Sequence, residues 1–98
     1  MTHDQIDEIG IDKNGSLYIC PTASRFPYIY REAMEVGWNK SRLCLFSPKP
    51  REWSYLTWFQ QLVAAAREQG VVLEIAASTR WSDIPSDLRR DIESLPSV

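Results

Sequence analysis

Residues 42–76, RLCLFSPKPREWSYLTWFQQLVAAAREQGVVLEIA, decide the fold. The run RLCLFS (42–47) is short and densely apolar, as a buried strand requires, and Ser47-Pro48 ends it. Pro48 and Pro50 lack backbone donors and hold Ser47 and Lys49 extended, so SPKPRE is a stiff connection. From Ser54 to Gln69 the period changes. Tyr55, Leu56, Phe59, Leu62, Val63 and Ala66 form one apolar stripe, with Thr57, Gln60, Gln61, Arg67 and Glu68 outside it. Ser54 is the expected N-cap, which sets Trp53 and Trp58 at the spacing of a hydrophobic staple. Gly70 closes the helix, and VVLEIA (71–76) returns as a strand. The whole is a β-α-β unit; if its strands share a sheet, they run parallel with a right-handed crossover.

Working outward, IDEIGID-KNGS-LYIC reads as a hairpin turning at Asn14-Gly15. Ile9 and Ile11 share one face of its first strand, and Leu17 and Ile19 one face of its second. Phe26, Ile29, Tyr30, Ala33 and Val36 recur at helical spacing, predicting a helix over 25–36 stopped at Gly37. Ile84, Leu88, Ile92 and Leu95 predict a C-terminal amphipathic helix after Pro85. The expected fold is a single α+β domain spanning residues 1–98. It is a two-layer, mixed four-stranded sheet with about three helices, in the order ββαβαβα.

Composition narrows the function by exclusion. Four glycines are scattered and form no phosphate-cradling loop. His3, the only histidine, lies near the N-terminus and is not expected to serve in a catalytic constellation. Cys20 and Cys44 are expected to be reduced and packed as small hydrophobes; with His3 they fall short of a four-ligand zinc site. No catalytic residue, metal or cofactor is expected. Glu32 and Glu35 read as a solvated helix face, and Asp83 and Asp87 as favouring the N-terminal end of the last helix. Glu52 has two readings, a carboxylate shifted in a cleft or an acid favoured at a helix start. The acidic N-terminus lacks the features of a secretory signal, and apolar runs fall far short of the ~20 residues of a membrane span. A cytoplasmic protein without membrane contact is the expectation.

The net charge of −2 is unevenly spread: residues 1–12 carry −4, residues 13–51 carry +5 and residues 52–98 carry −3. Nine of eleven aromatics fall between Phe26 and Phe59, overlapping the positive segment. Trp38, Lys40, Arg42, Lys49, Arg51, Trp53 and Trp58 are therefore the candidate binding residues. Aromatics with arginine are enriched at protein interfaces, which favours a protein partner or a homo-oligomer, simplest as a dimer. Single-stranded nucleic acid bound by segment 38–58 is a second reading, opposed by a pI near 5.3. A small enzyme or ligand-binding protein with an unrecognised pocket is a third.

The stretches RFPYIYREAMEVGWN (25–39), LFSPKPREWSYLTWF (45–59) and TRWSDIP (79–85) resemble small bacterial proteins of mobile integron gene cassettes. The likeness runs from residue 6 to 85. It implies a bacterial, cytoplasmic accessory protein of a mobile genetic element, a self-associating or partner-binding module, and it transfers no activity, cofactor or catalytic residue. With the residues above, the expected function is a non-enzymatic binding or interaction module.

Overall fold

The computed structural model describes residues 2–26, 29, 36–47 and 54–95. They form five strands and two helices: β1 (Thr2–Ile11), β2 (Leu17–Pro21), β3 (Gly37–Asn39), β4 (Cys44–Phe46), α1 (Tyr55–Glu68), β5 (Val71–Ser82) and α2 (Ser86–Glu93). The strands make one mixed sheet in the order β3-β4-β2-β1-β5. β1 pairs antiparallel with β2 and parallel with β5, and β4 pairs antiparallel with both β2 and β3. The fold is thus α+β with a mixed sheet as expected, but with five strands where four were read. The expected helix over 25–36 lies mostly outside the described residues.

The N-terminal hairpin forms, with a different turn. Asn14 does not take positive φ; Gly15 alone does, at 84°. Gly15 N donates to Asp12 O at 2.9 Å, and Asp12 Oδ1 accepts from the amides of Asn14 and Ser16. The aspartate side chain substitutes for a second left-handed residue, giving a longer turn with one glycine.

Between β1 and β5 the register slips. Ile6 pairs with Ile75 and Glu8 with Arg80, so two steps along β1 match five along β5. The extra residues bulge outward, and Thr79 pins them. Its hydroxyl donates to Ile6 O at 2.6 Å and accepts from Ala76 N at 2.9 Å. The bulge carries β5 on to Ser82, well past the strand end expected at Ala76. His3 lies within β1, not in a frayed end, and its ring meets the Glu74 carboxylate.

α1 begins as read. Ser54 Oγ accepts from Thr57 N at 3.2 Å, and Gly70 follows the helix at φ 87°. Its buried face is Trp58, Phe59, Leu62, Ala65 and Ala66, while Tyr55, Leu56 and Val63 are partly covered. The stripe is therefore rotated toward Trp58. Ile6, Ile9, Leu17, Ile19 and Leu45 from the sheet meet it in one core, which Ile92 of α2 completes. Since β4 and β5 both run parallel to β1, α1 crosses over β2 and β1 to join parallel strands that are not neighbours.

Candidate binding site on the second face of the sheet

Strand alternation sends Leu17, Ile19 and Leu45 to the helices and turns Tyr18, Cys20, Cys44 and Phe46 to the opposite face. No described helix packs there. The pairings lay residues across this face in rows. One row runs Gly37, Phe46, Tyr18, Gly10, Ser82 through all five strands. The Tyr18 ring lies over Gly10, where a Cβ would stand 2.3 Å from Tyr18 Oη. The Phe46 ring lies over Gly37, where a Cβ would stand 2.7 Å from Cζ. Gly37, expected to stop a helix, is instead the strand residue that makes room for a cross-strand ring.

The adjacent row runs Asn39, Cys44, Cys20, Glu8, Arg80, and Cys20 and Cys44 are joined by a disulfide. This overturns the expectation of two reduced cysteines. The physical reason is register: Tyr18 opposite Phe46 and Ile19 opposite Leu45 bring Cys20 opposite Cys44, with Cα atoms 4.2 Å apart. Each cysteine did fall in a strand, but only the strand order makes them partners.

Glu8 organises the polar side of the face. Its carboxylate accepts from Tyr18 Oη at 2.6 Å and from Ser82 Oγ at 2.6 Å, and Arg80 lies 3.3 Å away. Arg80 also holds Asp7 at 3.0 Å. The hydroxyl of Ser82, that of Tyr18, and then Arg80 and Arg42 favour the anion, so the Glu8 carboxyl titrates below its ordinary range despite its burial. Tyr18 titrates above its ordinary range, because burial and the neighbouring carboxylate both disfavour the phenolate.

Two loops rim a cleft of about 330 Å³ above the second row. One is the β3–β4 turn. Asn39 Oδ1 accepts from the amides of Ser41 and Arg42, Leu43 takes φ 57°, and the Arg42 guanidinium lies 4.4 Å from the Tyr18 ring centroid. The other is the segment after β2. Thr22 N donates to Gln5 O at 2.9 Å, and Asp4 Oδ2 accepts from Ser24 N at 2.7 Å and Ala23 N at 3.1 Å. Burial would raise the Asp4 pKa, but these amides outweigh it and lower it. The anchored segment carries Arg25 to the cleft, so Arg25, Arg42 and Arg80 line it together with Asp7, Glu8 and the disulfide.

Of the seven candidate residues from the sequence, Arg42 reaches this cleft and Lys40 is exposed in the same turn. Trp58 is instead 7% exposed in the core, because it falls on the buried face of α1. Trp38 is half-buried, packed edge-on against Phe26 with ring centroids 5.7 Å apart. Lys49, Arg51 and Trp53 lie outside the described residues, as do Glu52, Glu32 and Glu35. Glu8, Tyr18, Arg25, Arg80 and Ser82 were missed. The alternation in LYIC does set Tyr18 and Cys20 opposite the apolar face, but nothing local reveals their cross-strand partners. Among the described residues no group of three metal-ligating side chains assembles, and no helix is long and apolar enough to cross a membrane.

The model of the family described as Integron Cassette Protein Hfx_Cass5 matches residues 4–79. The solved structure of the integron cassette protein Hfx_Cass5, from the mobile metagenome of the North West Arm sewage outfall, is 51% identical. That comparison covers 94% of this chain and 93% of the other, with a TM-score of 0.49. No curated protein matches the chain. The matched span holds Glu8, Tyr18, Cys20, Arg25, Arg42 and Cys44, and ends just before Arg80.

Proposed function

The chain belongs to the Hfx_Cass5 family of integron cassette proteins, and from that premise we propose a non-enzymatic binding module that takes an anionic group in the cleft of the second sheet face. The observation that carries this reading is three arginines converging on one 330 Å³ cleft against two carboxylates. Arg80 is already bonded to both acids, which leaves Arg25 and Arg42 as the recognising cations. Arg42 is held by its stack on Tyr18, so little side-chain freedom is lost on binding. The test is titration with inorganic phosphate and with a short dicarboxylate, followed by amide and arginine Nε–H NMR shifts. Saturable shifts at Arg25, Arg42 and Cys20, weakened about tenfold by Arg42→Gln or Arg25→Gln, are expected. Absence of saturable shifts at low ionic strength overturns the reading.

Trp58 turns into the core and Trp38 is half-buried against Phe26, which favours the anion site over a stacking platform for single-stranded nucleic acid. Self-association has a separate surface that favours it. β5 is an edge strand of 12 residues, and its first half borders an apolar groove of about 630 Å³ where Ile75 is 37% exposed. A second copy offering the same edge would pair antiparallel along Val71–Ile75, a self-complementary arrangement, with the Thr79-pinned bulge ending the pairing. Sedimentation equilibrium should give a dimer that Ile75→Lys dissociates. A monomer at millimolar concentration sinks the dimer.

A further inference from the structure

We infer that Cys20 is a site of thiol–disulfide exchange selective for small thiols that carry carboxylates; the inference rests on the anion-binding reading of the same cleft. The disulfide is part of the lining of that cleft, and its two sulfurs are unequally offered. Cys44 is 2% exposed, whereas Cys20 is only half-buried. An incoming thiolate therefore meets Cys20 Sγ first. A carboxylate on the same molecule finds Arg42 and Arg25 at the rim, and this raises its local concentration where the reaction occurs. Asp7 and Glu8 face the same cleft, but against three arginines they leave it net positive by one charge, so the attraction for an anion is reduced and not cancelled.

The chemistry closes without a further reactant. The small thiolate attacks Cys20 Sγ; a new S–S bond forms as the Cys20–Cys44 bond breaks, and the electron pair leaves on the Cys44 sulfur. That sulfur takes a proton from water. It lies 3.2 Å from the carbonyl oxygen of Arg42, an acceptor for the thiol once formed. A second small thiolate then attacks the outer sulfur of the mixed disulfide and releases the Cys20 thiolate. The products are one small disulfide and two protein thiols, so two small thiols reduce the protein by two electrons. Reduction removes the covalent link between β2 and β4 in the cleft lining, while the backbone pairing of Tyr18 with Phe46 and Ile19 with Leu45 still joins the strands.

The experiment uses the oxidised full-length protein with mercaptopropionate (anionic), mercaptoethanol (neutral) and cysteamine (cationic), compared at equal thiolate concentration. Acid-quenched samples are read by intact mass and peptide mapping. The anionic thiol should form the mixed disulfide about tenfold faster than the neutral one, and the cationic thiol should be slowest. The adduct should map to Cys20. The preference should shrink to within about twofold in Arg42→Gln, in Arg25→Gln and at molar salt. Equal rates for the three thiols, an adduct on Cys44, or a protein that keeps two free thiols under oxidant overturns the inference. Inorganic phosphate should slow the anionic thiol alone. If phosphate binds while thiol rates stay indiscriminate, this inference falls and the binding reading stands; if phosphate does not bind, the binding reading falls with it.

Discussion

Gly10→Ala is the substitution on which the account of the second sheet face is most exposed. The methyl group would stand 2.3 Å from Tyr18 Oη, 2.4 Å from Cζ and 2.7 Å from Cε1, so the ring must leave its seat. Tyr18 is 5% exposed, and its hydroxyl is bonded to the Glu8 carboxylate at 2.6 Å. A bond of this kind to a charged group is worth ~1.5–3 kcal/mol, because the carboxylate is left with a missing donor. Displacing the ring enough to expose ~40 Å² of apolar surface adds ~1 kcal/mol at ~25 cal/mol per Å². Alanine restricts the unfolded chain and returns ~0.4–1 kcal/mol. The balance is a net loss of ~2–3 kcal/mol, or a fall in melting temperature of ~10–20 °C for a chain of this size.

Urea and thermal unfolding followed by circular dichroism at neutral pH give the number. The decisive comparison is made in a Tyr18→Val background. With the ring gone, the added methyl group has open space, and Gly10→Ala should be neutral or stabilising by ~0.4–1 kcal/mol. The double-mutant cycle should therefore show a coupling of at least ~2 kcal/mol. A Gly10→Ala protein within ~0.5 kcal/mol of wild type, or an equal penalty in both backgrounds, refutes the cross-strand seating of Tyr18 on Gly10.

Three other outcomes follow from the same contacts. Because the folded Glu8 pKa lies below its ordinary 4.5, its contribution is fully present above that value and is lost as pH falls through the folded pKa. Glu8→Gln should cost ~1–2 kcal/mol in urea melts at pH 7, and the cost should shrink steadily as the pH falls below 4.5; a cost that does not change with pH refutes the charge assignment. Ser54→Ala should cost ~1 kcal/mol by removing the acceptor of Thr57 N, with Ser54→Asp close to wild type, as read by thermal unfolding. Reducing the Cys20–Cys44 bond, which spans a sequence separation of 24, should lower stability by ~3.5 kcal/mol if the loss is mainly loop-closure entropy. An unchanged urea midpoint after reduction contradicts that view.

The parts of the fold legible in the sequence are those whose signal is local. Ser54 announces a cap because its side chain needs only the amide three residues on, and Gly70 announces an end because its φ of 87° is its own property. Ile9, Leu17 and Ile19 declare a buried face by alternation alone. The β3 strand was missed because Gly37-Trp38-Asn39 is too short to show a period, and its glycine imitates a helix stop. The long β5 was cut at Ala76 because the bulge breaks the alternation there, although Thr79 rejoins the strand through Ile6. Both errors have one cause: a contact to a distant strand outweighs the local pattern.

The candidate site was hidden for the same reason, and the aromatic segment misled for a different one. Positive charge and aromatic rings overlap along residues 26–59, which suggested one surface carrying both. A strand or helix separates what the chain holds together, because neighbouring residues point in different directions. Trp58 lies three residues after Tyr55 and four before Leu62, so it belongs to the buried stripe of α1 whatever its flanks carry. Arg42, in a turn anchored by Asn39, faces outward. The arginine therefore recruits a different ring, Tyr18, from a strand 24 residues earlier. Tyr18 in turn is free to lie flat only because Gly10 opposes it, and it is bonded only because Glu8 stands two residues from Gly10 on the same face. Each residue in that chain is ordinary in sequence. What makes them a site is the β4-β2-β1-β5 order, which sets Arg42 over Tyr18, Cys44 against Cys20 and Arg80 beside Glu8 at one stroke.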